Sequence, residues 1–303
     1  MIKFENALSV IVGIENISFY ESMKHHTTFG IGGKARIFIT PTSIKQIQDI
    51  VKTCIKYNED YCVVGAGSKL LVSDKGINKV VICLNRKFSG ITQTSPTTLS
   101  VLAGTTLNLL NKKCLSLCLS GLENTFLIPA TVGGAIHNNA GAYNHAIGDA
   151  VKSVTVLENG KIKTYPKKDC NFAYRTSVFY NKTNCIILSA EFELKPCEKQ
   201  VINDRFMEIL SSRMEKQPLN KKTAGSIFMR DGEVVPAKII DQLGLKGVTF
   251  GGAKISEKHA GFIENFNNAS ATDVLNLIDF ISQKVYNELQ IKLIPEIIIM
   301  GEL

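Results

Sequence analysis

Residues 61–72, Tyr61-Cys62-Val63-Val64-Gly65-Ala66-Gly67-Ser68-Lys69-Leu70-Leu71-Val72, join one apolar β run to another through a loop of small residues. Glycine reaches positive φ and has no side chain, so such a loop lets several backbone N–H groups face a phosphate. The second run is typical of a strand, so the loop differs from the G-x-G-x-x-G that opens a helix in a Rossmann βαβ unit. No Gly-Lys-Ser/Thr occurs, so the P-loop pattern is absent too. A dinucleotide bound here requires a different scaffold.

Two further clusters of small residues lie at 29–33 and at 128–143. Tight turns alone can explain each cluster, because glycine is common in turns. The cluster at 128–143, which is the third small-residue cluster of the chain when the loop at 65–68 is counted, keeps small and amide side chains over most of its length. A ligand with a diphosphate and more than one ring system explains why one chain carries both this cluster and the loop at 65–68.

The order of elements favours an α+β fold over a doubly wound sheet, because strands and helices mix without a regular βαβα alternation. Apolar periodicity predicts helices at 43–57, 105–119, 199–216, 236–243 and 272–289. Apolar runs predict strands at 61–64, 79–84, 99–103, 185–194 and 296–300. Asn159-Gly160 predicts a hairpin between the strands 151–157 and 161–165. The sequence pattern changes after Pro196, where a charged helix is predicted to follow the last strand. This change marks the expected domain boundary.

The chain of 303 residues carries 35 Lys+Arg against 27 Asp+Glu, a net charge of +8. This excess fits either a lysine-rich solvated surface or attraction to polyanions such as nucleotides and phosphosugars. Nucleic acid is the weaker case, because there is no Trp and no Lys/Arg block longer than two. The eight cysteines form no C-x-x-C pair, so we expect free thiols in a reducing compartment, the cytoplasm. We expect neither a signal peptide, a membrane span nor a bound metal.

Four polar residues suggest a functional role. Arg175 sits in an aromatic-flanked run and suits a carboxylate, although a surface ion pair is the alternative. Ser226 follows small residues without a G-x-S-x-G elbow, so it is either a buried, backbone-bonded hydroxyl or a proton donor in a cleft. Glu296 begins an apolar strand and needs a partner or a function there. His259 is either a ligand-binding imidazole or part of a solvated turn.

Taken together, the motifs resemble the UDP-N-acetylenolpyruvoylglucosamine reductase family of bacterial peptidoglycan precursor synthesis. The short gap between Arg175 and Ser226 is similar to the class of the family that lacks an inserted loop over the active site. The matching segments span nearly the whole chain and occur in the order of the family: 28–35, 65–68, 129–143, 174–179, 224–228, 245–247 with 251–253, and 295–296.

The resemblance implies a vanillyl-alcohol-oxidase-type fold with FAD-binding subdomains at 1–82 and 83–196 and a substrate domain at 197–303. It implies non-covalent FAD, reduced by NADPH, and hydride transfer to the enolpyruvyl group of UDP-N-acetylglucosamine enolpyruvate. The product is UDP-N-acetylmuramate for cell-wall synthesis. We expect the chain to act as a monomer, without nucleic-acid or membrane partners.

The resemblance also implies roles for individual residues. Arg175 and Glu296 match the pair that polarises the substrate carboxylate, and Ser226 matches the proton donor. Substrate contacts fall on Lys216, Arg230, Lys246 and His259. FAD contacts fall on the two loops, at Gly65, Ala66, Gly67, Ser68, Lys69, Pro129, Thr131, Gly133, Gly134, Asn139, Ala140 and Gly141.

The sequence departs from the pattern of the family at several loop positions. Ala66 and Ala130 stand where Gly is usual, which requires that their φ stay negative. Lys69 stands where Asn is usual, and it either adds charge near the flavin diphosphate or points to solvent. Tyr180 and Met229 replace a usual Lys.

Two rival interpretations stay open. One is another FAD-dependent oxidoreductase of the same fold, with flavin attached covalently through His25, His26 or His137. The other is a non-enzymatic nucleotide- or nucleic-acid-binding protein, which predicts salt-sensitive polynucleotide binding and no chromophore.

Overall fold

The computed structural model describes residues 2–302. All five predicted helices are present, with small shifts at their ends. The helix expected at 105–119 stops at Ser116, because Cys118 adopts a left-handed φ of 54° and Leu119 starts a strand. The α-helices are α1 (Ile2–Val12), α2 (Ile44–Tyr57), α3 (Leu107–Ser116), α4 (Val132–His137), α5 (Lys199–Lys216), α6 (Pro236–Gln242) and α7 (Ala271–Leu289).

The predicted strands and the hairpin are confirmed, and several short strands join them. The loop at 65–68 is called the glycine loop below. The apolar run that follows it is a strand, as its composition indicates. The strands are β1 (Ile17–Ser22), β2 (Lys34–Ile39), β3 (Tyr61–Val64), β4 (Leu70–Val72), β5 (Ile77–Cys83), β6 (Ile91–Gln93), β7 (Thr98–Leu102), β8 (Leu119–Ser120), β9 (Gly141–Ala142), β10 (His145–Ala146), β11 (Val151–Glu158), β12 (Lys161–Pro166), β13 (Cys185–Glu193), β14 (Lys195–Pro196), β15 (Thr249–Phe250), β16 (Ala253–Ile255), β17 (Ile263–Asn265) and β18 (Ile298–Met300).

The chain forms two compact units, each assembled from separated segments. The first contains Met1–Ser18, Ile37–Ala66 and Lys79–Ser211, and the second contains Phe19–Arg36, Gly67–Asn78 and Ser212–Leu303. The division into three domains with boundaries at 82/83 and 196/197 stays a prediction.

The first unit is built on a five-stranded sheet of order β12-β11-β13-β7-β6. β11 and β12 pair antiparallel around Asn159-Gly160, and both turn residues have positive φ, as a tight hairpin requires. In the same unit, residues 61–64 of β3 pair in parallel with residues 80–83 of β5. A large apolar core includes Phe88, Phe179 and Phe192, each at most 1% exposed.

The second unit packs α7 against the antiparallel strands β15-β16-β17. Most of the apolar stripe of α7 is buried as its helical spacing predicts, although Leu275 is only partly buried and Leu289, at the end of the helix, is exposed. The buried members are Val274, Leu277, Ile278, Ile281 and Val285. A parallel pair, β4 with β18, brings the last strand of the chain beside the strand that follows the glycine loop. The unit has its own apolar core around these elements.

Residues 2–302 contain no helix that combines the length and the apolar character of a membrane crossing. Within the same range, no three His, Cys, Asp or Glu side chains are grouped so that they could hold a metal ion. The eight cysteines are free thiols, and burial raises the pKa of Cys83 to about 12. A buried thiol such as that of Cys83 behaves as a small apolar group rather than as a nucleophile, whereas Cys118 is exposed.

Candidate active site

The glycine loop and the third small-residue cluster meet in the first unit at Gly65 and Thr131. A Cβ at Gly65 would collide with the Thr131 hydroxyl oxygen, so only glycine fits there. That hydroxyl also caps α4 by accepting a hydrogen bond from the N–H of Gly134 at 3.5 Å. The two loops predicted to bind FAD are therefore in direct contact, with the backbone of Gly65 packed against the side chain of Thr131. Such contact between loops is needed if both are to hold one ligand.

The loop departures are compatible with the backbone. Neither Ala66 nor Ala130 has a positive φ, so alanine is unstrained at both positions. Gly67, in contrast, has a φ of +64°, and a Cβ there would collide with the carbonyl oxygen of His26. Ala66 and Ala130 thus meet the requirement that their φ is not positive.

Asn139 is buried and holds its surroundings together with its side chain. Its Nδ2 donates to the carbonyl of Ala173 at 2.8 Å, and its Oδ1 accepts from the N–H of Gly148 at 3.0 Å. Both ends of the amide are thus bonded to backbone groups, which fixes the orientation of the side chain. Gly133 packs tightly on Ala103, where a Cβ would come within 2.9 Å of the Cβ of Ala103.

Arg175 lies in a tight turn of the first unit closed by the bridge between Ala173 and Thr176. Its φ of +55° is left-handed, a strained conformation for a long side chain. Its guanidinium stacks on the Tyr174 ring, 5.0 Å from the ring centroid. The Ser177 hydroxyl donates to the carbonyl of His137 at 2.8 Å, so the turn is anchored to the end of α4. The segment with Arg175 is thus tied to the third small-residue cluster.

Ser226 is exposed at the start of an extended segment of the second unit. A bridge to Phe262 and the hydrogen bond from the N–H of Ile227 to the carbonyl of Gly261, 2.9 Å, fix this segment on one side. On its other side the carbonyl of Ile227 accepts from the N–H of Glu296 at 2.6 Å. The alternative of a buried, backbone-bonded hydroxyl is therefore wrong, because the segment turns Ser226 outward.

Glu296 lies beside Ser226 on the neighbouring backbone and has a charged partner. The Nζ of Lys69 lies 3.2 Å from its Oε1, and the two side chains are only 19% and 12% exposed. The expectation that this carboxylate needs a partner is met, and Lys69 does not simply point to solvent. This ion pair joins the glycine loop to the end of the chain within one unit.

Two of the four predicted substrate contacts are neighbours in the second unit. Burial lowers the pKa of His259, with the nearby charge of Lys246 as a further cause, so this imidazole favours its neutral form. Its Nδ1 accepts from the N–H of Gly261 at 3.1 Å, and the Nζ of Lys246 lies 2.8 Å from Asp241. Lys216 is exposed at the end of α5. Arg230 is exposed too, and its Nε donates to the carbonyl of Gly232 in its own turn.

Sequence reasoning missed the contacts that hold the candidate catalytic residues in place. The pairing of Lys69 with Glu296 joins positions that are far apart in the chain, and no local pattern signals it. The support of Arg175 by Asn139 and Ser177 has the same origin. Their only sequence signal is that polar residues stand inside otherwise small or apolar runs.

Comparisons with known proteins agree with this geometry. Residues 35–165 match the model of an FAD binding domain, and residues 217–300 match that of the UDP-N-acetylenolpyruvoylglucosamine reductase C-terminal domain. The chain is 40% identical over 295 residues to UDP-N-acetylenolpyruvoylglucosamine reductase of Clostridium botulinum (strain Okra / Type B1), covering 96% of this chain and 95% of that protein.

Two solved structures support the fold. The crystal structure of UDP-N-acetylenolpyruvylglucosamine reductase from Thermus caldophilus superposes with a TM-score of 0.80 at 31% identity, covering 94% of this chain and 98% of that one. The 4-ethylphenol oxidase from Gulosibacter chungangensis superposes with a TM-score of 0.51 at 16% identity, covering 64% and 42%, a likeness of fold alone. The predicted α+β, vanillyl-alcohol-oxidase-type fold is confirmed. Because the identity extends over nearly the full length, the chain belongs to the UDP-N-acetylenolpyruvoylglucosamine reductase family, and it is an FAD-containing oxidoreductase.

Proposed function

We propose that the protein reduces the enolpyruvyl group of UDP-N-acetylglucosamine enolpyruvate to UDP-N-acetylmuramate, with NADPH as the reductant, in peptidoglycan precursor synthesis. Full-length identity to reductases of that name supports the proposal. The observation that carries it is the placement of Ser226 and Glu296 on adjacent backbones, joined by the hydrogen bond from the N–H of Glu296 to the carbonyl of Ile227.

Arg175 and Glu296 are proposed to hold and polarise the substrate carboxylate. A guanidinium binds a carboxylate through two parallel N–H groups, and stacking on Tyr174 limits the motion of that fork. Negative charge develops on the carboxylate as the double bond is reduced. The guanidinium of Arg175 can stabilise that developing charge, and a cation already oriented toward it does not have to reorganise during the step.

Ser226 is proposed to donate the proton to the carbon next to the carboxylate. Its exposed hydroxyl can reach a substrate, while the segment that carries it is fixed on both sides. A serine hydroxyl is a weak acid, so it protonates only a strongly basic, carbanion-like carbon. The polarised carboxylate creates that basicity only during the reaction, which restricts proton loss to the productive step.

The remaining predicted residues are proposed to bind the anionic parts of the ligands. FAD is held by the backbone of the loops at 65–68 and 129–141, and when bound it supplies the hydride that NADPH delivers. Lys246, His259, Lys216 and Arg230 are proposed to meet the UDP diphosphate and the carboxylate. The net charge of +8 suits a protein whose ligands are all polyanions.

We also propose that the protein acts in the cytoplasm as a monomer. Its free cysteines suit a reducing compartment. Size-exclusion chromatography with light scattering tests the monomer, for which the expected mass is near the 33.3 kDa of one chain.

The proposal is tested by anaerobic half-reactions followed at the flavin absorbance. NADPH should bleach the yellow wild-type protein, and the UDP-enolpyruvyl sugar should restore the colour. Ser226→Ala should bleach normally but recover about 10²–10⁴-fold more slowly, the usual benefit of general acid catalysis. Ser282→Ala is the matched control, because its hydroxyl only bonds the carbonyl of Ile278 within α7.

Two outcomes contradict the proposal. A wild-type protein that bleaches but recovers only with oxygen or another acceptor would keep the fold and exclude this substrate. Recovery of Ser226→Ala at the wild-type rate would remove Ser226 from the proton transfer while leaving the overall reaction in place.

A further inference from the structure

The ion pair between Lys69 and Glu296 differs from the ion pairs on the surface of this protein. Its Nζ–Oε1 distance is 3.2 Å, and its side chains are 19% and 12% exposed. In the helical pair Lys284–Glu288, by comparison, the side chains are 43% and 49% exposed. Water screens an exposed pair strongly, so such a pair contributes little, whereas a pair shielded from water constrains both partners.

The backbone dictates that these two side chains meet. β4 and β18 are parallel, with Leu70 opposite Ile298, and the N–H of Ile298 donates to the carbonyl of Lys69 at 2.8 Å. Lys69 and Glu296 both precede the paired residues of these strands, so they lie at the same end of the pair. The next backbone beyond Glu296 is the segment with Ser226, through the N–H of Glu296 and the carbonyl of Ile227.

We propose that Lys69 is a positioning residue that holds the Glu296 carboxylate in the orientation in which it meets the substrate. The inference rests on the proposed function, because the role of Glu296 is itself part of that proposal. It differs from both expectations from sequence, in which Lys69 either adds charge near the flavin diphosphate or points to solvent.

Electrostatics gives the reason for a cation at this point. The substrate group that Glu296 meets is itself a carboxylate, and two like charges at close range repel each other. Lys69 offsets the charge of Glu296 and restricts its rotamers, so the substrate does not have to reorganise the site. A misplacement of about 1 Å in a reacting geometry can cost about 10²-fold in rate, so a positioning residue can matter as much as a contact.

The test compares Lys69→Met with the wild-type holoenzyme in separate half-reactions. We expect the Kd for FAD and the rate of bleaching by NADPH to stay within about twofold. The rate constant of reoxidation at saturating UDP-enolpyruvyl sugar should fall about 10- to 100-fold. Lys69→Arg, which keeps the charge, should restore most of that rate. Lys69→Gln serves as a second neutral variant if Lys69→Met does not fold, and Lys284→Met is the matched ion-pair control.

A double-mutant cycle separates positioning from a direct effect. If Lys69 acts through Glu296, Lys69→Met should slow reoxidation by less than about twofold in a Glu296→Gln background. Equal losses in both backgrounds would show independent action and overturn the proposal.

Two further results overturn it. A raised Kd for FAD with normal reoxidation would assign Lys69 to the flavin, and unchanged kinetics in every half-reaction would leave the ion pair without a role. If the sugar fails to reoxidise the wild-type flavin, the proposed function fails and the inference falls with it. If the wild-type protein responds and Lys69→Met matches it, only the inference fails.

Discussion

Glu158, at the end of β11, is a carboxylate held by three side-chain hydrogen bonds. Its side chain is 9% exposed and accepts from Lys163 and Lys182, each at 2.5 Å, and from the Tyr165 hydroxyl at 2.9 Å. The hydrogen bond from Lys163, followed by those from Lys182 and Tyr165, lowers the pKa of Glu158 from 4.5 to about 2. A carboxylate held in this way stabilises the native state only while it is ionised.

We therefore predict that Glu158 stabilises the fold above about pH 4.5 and loses this effect as the pH falls toward 2, because the unfolded chain takes up the proton first. Glu158→Gln should destabilise the protein by about 1–3 kcal/mol at pH 7, and the difference from wild type should shrink below pH 4.5. Calorimetric Tm values between pH 7 and pH 3 measure both effects.

The control for this prediction is Glu208→Gln. Glu208 forms an ion pair with Arg205, but its side chain is 66% exposed, so its loss should change the Tm little at any pH. A difference between Glu158→Gln and wild type that stays constant from pH 7 to pH 3 would contradict the assigned role.

At the scale of elements, the start of α7 shows how one helix is fixed to its unit. Ser270 accepts from the N–H of Asp273, and Asp273 accepts from the N–H of Ser270, a reciprocal capping box. Asp74 adds a second cap, since its carboxylate accepts from the N–H groups of Ala271 at 2.8 Å and Thr272 at 3.1 Å. The segment after β4 thus satisfies two N–H groups that the helix cannot bond internally.

We predict that Asp74→Ala lowers the stability of the protein by about 1–2 kcal/mol, the usual effect of removing a helix cap. Asp279→Ala, on the same helix but away from its start, should change stability by less than about 0.5 kcal/mol. Thermal unfolding of the FAD-loaded protein measures the two variants. Equal effects would mean that the capping interaction does not stabilise α7.

At the scale of the whole molecule, the placement of the histidines bears on how the flavin is held. Two of the three candidates for covalent attachment have partners: the Nε2 of His26 lies 2.9 Å from Glu21, and the His137 ring packs on Tyr180 at 5.1 Å. His25 is exposed, beside Lys24 and Lys222 in the lining of a shallow cavity.

We predict that the flavin is bound without a covalent link. Acid or heat denaturation should release all of the yellow colour into the supernatant, and His25→Ala should keep the full flavin content of the wild-type protein. Absorbance of the supernatant and the pellet measures this directly. Colour that stays with the polypeptide would instead favour a different oxidoreductase of the same fold.

The sequence by itself determined the elements and the family. α2 and α7 follow from apolar spacing and capping residues, and the hairpin of β11 and β12 follows from Asn159-Gly160, because these signals act over a few neighbouring residues. Ordered motifs along the chain identified the FAD-binding fold, since each motif is local.

Only the tertiary structure decided which distant residues meet. The parallel pairing of β4 with β18 places Lys69 against Glu296, and the amide of Asn139 holds the turn of Arg175 through Ala173. It also decided that Ser226 is exposed, although its apolar neighbours suit a buried hydroxyl equally well. The physical reason is that pairing register and burial depend on the packing of segments far apart in the chain, which local propensity does not encode.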